Sequence, residues 1–144
     1  INQENINIRD FLPHREPMLM VDYILEISEE KVVTNFLIKE ENPFVEEDHF
    51  SEPGLIENAA QTCSAIVGQS FFGDGKENVK LIGFITNIKK VSIFEVPKVG
   101  EQILTKAELV AKFGNICTMK CSTFCGERLL SEAEINLFIK ETNA

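Results

Sequence analysis

Tryptophan is absent from the 144 residues, tyrosine occurs once and histidine twice. With so few imidazoles, proton chemistry near neutral pH falls on one of two positions, or on a carboxyl whose surroundings shift it. Basic residues are scarce as well. Fourteen Lys and Arg against 23 Asp and Glu leave a net charge of −9, which argues against a nucleic-acid surface, since phosphate binding draws on clustered cations. Lys89, Lys90 and Lys98 are the one modest basic grouping. No apolar run reaches the roughly 18 residues of a membrane span, and the opening INQENINIRD lacks the basic-then-apolar pattern of a signal peptide. A cytoplasmic protein is expected. No repeat, low-complexity tract or linker divides the chain, so residues 1–144 are read as one domain. A chain of this size buries roughly two thirds of its unfolded surface and needs no metal or disulfide to hold a core.

The cysteines are four. Cys117, Cys121 and Cys125 recur every fourth residue in a strand-like run, a step of about 13 Å in extended chain. That is too far to share a metal or a bridge. They are read as buried thiols, with no metal site expected, in a reducing compartment.

Turn residues and periodicity give the element order. A short helical turn near Ile8 to Phe11 is followed by strands at about Met20 to Ile27 and Lys31 to Lys39. A helix runs from Gly54 to about Phe72, entered through Pro53 and closed by the glycines of FFGDGKEN. Strands at Lys80 to Phe94, Gln102 to Phe113, Ile116 to Cys125 and Leu129 to Ile139 come next, with GN and GER as hairpin turns. Ala133, Ile135, Leu137 and Ile139 share one face of the last strand, and Cys117, Met119 and Cys121 share one face of the strand before it. The helix carries apolar residues all round its axis, including Leu55, Ala59, Cys63, Ile66, Val67 and Phe71, as an enclosed helix does. This is an α+β pattern: a curved antiparallel sheet wrapped around one long central helix.

A narrow polar line interrupts that helix: Glu57 and Gln61, four residues apart, continued by Ser64 and Gly68. Two readings of Glu57 stand. It is a solvated first-turn carboxylate favoured by the helix dipole, or a carboxyl in an apolar cleft able to exchange a proton near neutral pH. His49, beside the acidic Glu46, Glu47 and Asp48, is either an ordinary loop residue or the base that such a carboxyl lacks.

The stretch LPHREPMLMVDYILEI, then HF at 49–50, PG at 53–54, IENAAQ at 56–61 and GFITNIKKVSIFEVPKVGEQI resemble the 3-hydroxyacyl-acyl-carrier-protein dehydratases. The resemblance implies the hot-dog fold and dehydration of a 3-hydroxyacyl thioester to the trans-2-enoyl thioester. It assigns catalysis to His49 and to Glu57 across a dimer interface, support of the site to Gln61, and a backbone N–H for the thioester carbonyl to Gly54. His14 lies in the signature and is given a structural turn role. No cofactor is implied beyond the phosphopantetheine that carries the substrate. The implied partners are acyl carrier protein and a second copy of the chain, as homodimer or hexamer, with an apolar tunnel for the acyl tail. One departure stands out: only FSE separates His49 from Pro-Gly, and Asp48 replaces the usual glycine. The shortened block is similar to divergent dehydratases of aryl-polyene or flexirubin-type pathways. A hot-dog acyl thioesterase and a non-catalytic acyl-carrier-binding relative are the alternatives.

Overall fold

A computed structural model describes residues 7–12, 14–73 and 79–143. A 3-10 turn at Ile8–Asp10 leads to β1 (Tyr23–Ile27) and β2 (Lys31–Leu37). Two-residue strands β3 (Val45–Glu46) and β4 (His49–Phe50) precede helix α1 (Glu52–Gly73). The chain then runs through β5 (Val79–Ile93), β6 (Gln102–Phe113), β7 (Ile116–Cys125) and β8 (Arg128–Asn143).

Alternation of side chains builds the main sheet. Its order is β1-β2-β6-β7-β8-β5, and every neighbouring pair is antiparallel. Gly114 and Gly126 open the two-residue hairpin loops with φ of 62° and 59°, a left-handed backbone that glycine adopts without a Cβ clash and that suits strand twist. Register therefore carries across the sheet. Val32 and Thr34 of β2, Ile103, Thr105 and Ala107 of β6, Met119, Cys121 and Thr123 of β7, and Ile135 and Leu137 of β8 are all buried.

Helix α1 lies against that buried face. Pro53 fits its first turn, where the missing N–H has no intrahelical partner to lose. Ala59, Cys63 and Ile66 pack with Ala107, Met119, Cys121, Ile135 and Leu137, while Leu55 joins Met20, Phe36, Phe50, Ile103 and Leu130 in a second cluster. Each large side chain so buried contributes about 1.5–3 kcal/mol. Gly68 of the polar line lies in α1, and the side chains of Val67 and Phe71 lie outside what is described.

Three features depart from the expected elements. β1 begins at Tyr23 instead of Met20, because the Met18–Met20 backbone bonds to helix side chains instead of to a strand. His49, expected in a loop, sits in β4, which pairs with β3 through Val45↔Phe50 and Glu46↔His49. The helix begins at Glu52, two residues before the expected Gly54. Phe84, Phe94, Phe113 and Phe138 are exposed. No helix among the described residues is long and apolar enough to cross a membrane.

Candidate active site

The shortened block folds as a tight hairpin that fixes His49. Glu47, with φ of 57°, and Asp48 make the turn between β3 and β4. The segment 96–99 then closes on the other side: Phe50 N donates to Pro97 O at 2.8 Å, Val99 N donates to Asp48 O at 2.9 Å, and His49 bridges to Lys98. Ser51 N donates to Phe44 O at 2.9 Å. Backbone pairing on both sides replaces the longer loop of the family pattern. The half-buried imidazole has Asp48 Oδ1 3.5 Å from its Nδ1, an ion-pair separation longer than a hydrogen bond.

Phe50 carries this hairpin onto the helix. Its fully buried ring lies on Gly54, where a Cβ would fall 2.6 Å from Phe50 Cζ and 2.9 Å from Phe44 Cβ. Phe36 and Phe44 hold the same ring, with centroids 6.0 Å and 6.4 Å away. Only a residue without a side chain permits that approach. Gly54 also contributes one of the first-turn N–H groups that an α-helix leaves without intrahelical partners, at the positive end of its dipole.

Glu57 is half-buried, and Gln61, 1% exposed, holds it. Gln61 Nε2 donates to Glu57 Oε1 at 3.0 Å and to Met18 O at 2.8 Å, while Gln61 Oε1 accepts from Met20 N at 2.7 Å. Every polar group of the carboxamide is engaged, and the Met20 N–H fixes which end is oxygen. Ser64, the next residue on the polar line, turns back on the helix and donates to Ala60 O at 3.0 Å. Among the described residues no hydrogen bond or ion pair joins His49 to Glu57 within one chain. The structure therefore brings Glu57 to Gln61, and Gly54 to the strand of His49, but forms no direct bond between the His49 and Glu57 side chains in the protomer.

Sequence reasoning missed Asn58. It is 1% exposed, its Nδ2 donates to Met20 O at 2.7 Å, and its Oδ1 accepts from Thr105 Oγ1 at 2.6 Å. Thr105 lies 2.9 Å from Thr123, and Thr62, which donates to Asn58 O at 2.9 Å, lies 2.8 Å from Thr34. The available signal was the phase of three threonines. Thr34, Thr105 and Thr123 occupy core-facing positions of β2, β6 and β7, and buried hydroxyls need a polar partner on whatever covers them.

Other side chains fall outside this centre. Cys63 Sγ is 2.9 Å from Cys121 Sγ, both in the core, and burial pushes the Cys63 thiol well up. His14 is part-buried, its backbone oxygen accepting from Arg15 Nη1 at 2.8 Å. A cavity of about 560 Å³ lined by Leu25, Leu104, Lys106 and Phe124 opens on the outer side of β1, β2, β6 and β7 and includes neither His49 nor Glu57.

A curved antiparallel sheet around one helix, carrying a held carboxyl and an imidazole beside its N-terminal end, has the architecture of the hot-dog dehydratases. Residues 6–144 match the family model described as ApeP dehydratase, ApeP-like. The chain belongs to the ApeP-like dehydratase family. It is 32% identical over 155 residues to the 3-hydroxyacyl-acyl-carrier-protein dehydratase FabZ of Helicobacter hepaticus, covering 93% of this chain and 88% of that protein. Among solved structures it is similar to the dehydratase heterocomplex ApeI:P from Xenorhabdus doucetiae, with TM-score 0.81 and 16% identity over 92% of this chain and 90% of that one. A hypothetical thioesterase with coenzyme A from Streptococcus pneumoniae shares the fold, with TM-score 0.67 and 16% identity over 84% and 87% of the two chains. The protein is a dehydratase of the hydro-lyase class with the hot-dog fold.

Proposed function

We propose that this dehydratase converts a 3-hydroxyacyl thioester, carried on the phosphopantetheine of an acyl carrier protein, to the trans-2-enoyl thioester. His49 takes the proton from C2 as that C–H bond breaks. The N–H of Gly54 receives the charge gathering on the thioester oxygen. Glu57 gives its proton to the hydroxyl leaving C3, which departs as water while the C2–C3 double bond forms. The proton held by His49 then returns to Glu57 through solvent, so no cofactor is consumed.

The observation that carries this reading is the Gln61 clamp on Glu57. Both Nε2 protons of Gln61 are committed, one to Met18 O and one to Glu57 Oε1. Oε1 is thereby an acceptor only, and the proton of the neutral acid sits on Oε2, the oxygen left for the substrate. The helix begins at Glu52, so Glu57 lies beyond its first turn and the reading of a solvated first-turn carboxylate does not apply to it.

The second half of the site comes from a second copy of the chain. β5 ends the sheet, and Phe84, Ile85 and Val91 on this long edge strand are exposed, which favours pairing with another strand. A two-fold pair then has two equivalent sites. Incubation with a 3-hydroxyacyl carrier-protein thioester tests the chemistry. Enoyl absorbance with the thioester intact is the expected product, abolished by Glu57→Gln and by His49→Ala. Release of free acid and thiol would identify a thioesterase instead, and the fold shared with the Streptococcus pneumoniae protein makes that the assay's necessary control.

A further inference from the structure

We infer that Asn58 is a positioning residue for Glu57, acting through the Met18–Met20 backbone and Gln61. The inference rests on the dehydratase reading of Glu57. It starts from an oddity of composition: a carboxamide at a helix position 1% exposed, where an aliphatic side chain of equal size would fill the space without any desolvation cost.

The directions of the hydrogen bonds follow from the donors available. Thr105 spends its single proton on Asn58 Oδ1, so Thr123 is the donor in the 2.9 Å contact between the threonines. Likewise Thr62 donates to Asn58 O, so Thr34 donates to Thr62. Asn58 Oδ1 is thus held by Thr105 of β6, which Thr123 of β7 holds in turn, and Asn58 O by Thr62 of its own helix, which Thr34 of β2 holds in turn. It has one remaining task, the donation to Met20 O.

Met20 is the point where Asn58 and Gln61 meet. Its C=O accepts from Asn58 Nδ2 and its N–H donates to Gln61 Oε1, both at 2.7 Å, while Met18 O accepts from Gln61 Nε2. Two side chains three positions apart on α1 grip this backbone through its C=O and N–H groups. The plane of Gln61 is set by Met18 and Met20, and that plane aims its last N–H at Glu57. Asn58 anchors the backbone that sets the plane. Without it Met20 O is a buried acceptor lacking a partner, the segment shifts, and Gln61 no longer holds Oε1 in every molecule.

A double-mutant cycle on the full dimeric protein tests this, with turnover and pH profile measured on a 3-hydroxyacyl thioester. Asn58→Ala and Gln61→Ala are each expected to lower kcat roughly ten- to a hundredfold with KM changed less than about threefold. The two together lose little more than the worse single variant, because both act on one carboxyl, and both displace the same limb of the pH profile. Losses that multiply, or a folded Asn58→Ala protein with wild-type kcat, overturn the assignment. If Asn58→Ala does not yield folded protein, Thr105→Val, which removes the hydroxyl donated to Oδ1 together with the acceptor of Thr123, enters the same cycle beside a Thr123→Val control, with the same pattern expected for Thr105→Val and the same contradiction. Glu57→Gln separates the two layers. Loss of turnover there with an unaffected Asn58 variant refutes only the positioning role, while retained turnover in Glu57→Gln removes the catalytic role of Glu57 on which the inference rests.

Discussion

Replacing Gly54 by alanine puts a methyl group where the Phe50 ring already lies. The added Cβ would fall 2.6 Å and 2.7 Å from Phe50 Cζ and Cε1 and 2.9 Å from Phe44 Cβ. The ring has nowhere to swing, because Phe36 and Phe44 pack against it and it is fully buried. Phe44 Cβ sits beside its own backbone and yields no more easily. Overpacking of this kind costs roughly 1–3 kcal/mol. Alanine's better helix propensity returns at most about 1 kcal/mol, and less in a first turn. The net loss is about 1–2 kcal/mol, which for a chain of this size lowers Tm by roughly 3–8 °C. Turnover falls further than stability does. The displaced ring belongs to β4, so His49 moves with it, and a shift of about 1 Å in a reacting group costs up to a hundredfold in rate. Thermal scans with kcat measured on the same preparation give both numbers. Trimming the obstacle with Phe50→Leu in the Gly54→Ala background recovers part of the Tm loss. A Gly54→Ala protein that melts at or above the wild-type temperature with unchanged kcat refutes the close-approach argument.

Two further outcomes follow from charge and burial. The Lys98 N–H at 2.8 Å, with the Cys125 thiol and the Arg128 guanidinium, holds the Glu101 carboxyl below the usual glutamate range. A lowered folded value contributes stability that is complete above the unfolded glutamate value of about 4.3 and is lost as pH falls through the folded one. Urea unfolding between about pH 6 and pH 3 is therefore less pH-dependent in Glu101→Gln, and an unchanged slope would contradict the bonding described. Alkylation of the native protein modifies the part-exposed Cys125 first, while Cys63 and Cys121 react only on unfolding, since the thiolate is the nucleophile and burial disfavours it at Cys63. Early labelling of Cys63, read by peptide mass, would show the core to be open.

Much of the fold was legible because its signals were local. Strict alternation and two loop glycines gave β6 and β7 their observed ends, and the glutamate-to-glutamine spacing of four put Glu57 and Gln61 on one line. Errors arose where side chains took over backbone roles. The run from Met20 reads as strand by composition, yet Met20 bonds to Asn58 and Gln61, and the strand waits until Tyr23. β3 and β4 are two residues each, too short for any periodicity, and their pairing depends on the distant Pro97 and Val99. Asn58 drew no reading from the sequence, because its partner Thr105, and Thr123 behind it, lie far along the chain. The pairing of His49 with Glu57 came only from the resemblance, and no hydrogen bond or ion pair among the described residues joins the two within one chain.

Mixing two inactive variants tests that shared site most directly. His49→Ala and Glu57→Gln chains, each inactive as a homodimer, are unfolded together, refolded and assayed for enoyl thioester formation. Random pairing makes half the dimers mixed, each with one site carrying both intact groups, so recovery of about a quarter of wild-type activity is predicted. Activity that stays at the level of the separate variants, in a mixture shown to contain mixed dimers, would mean that the two groups do not act together across the interface.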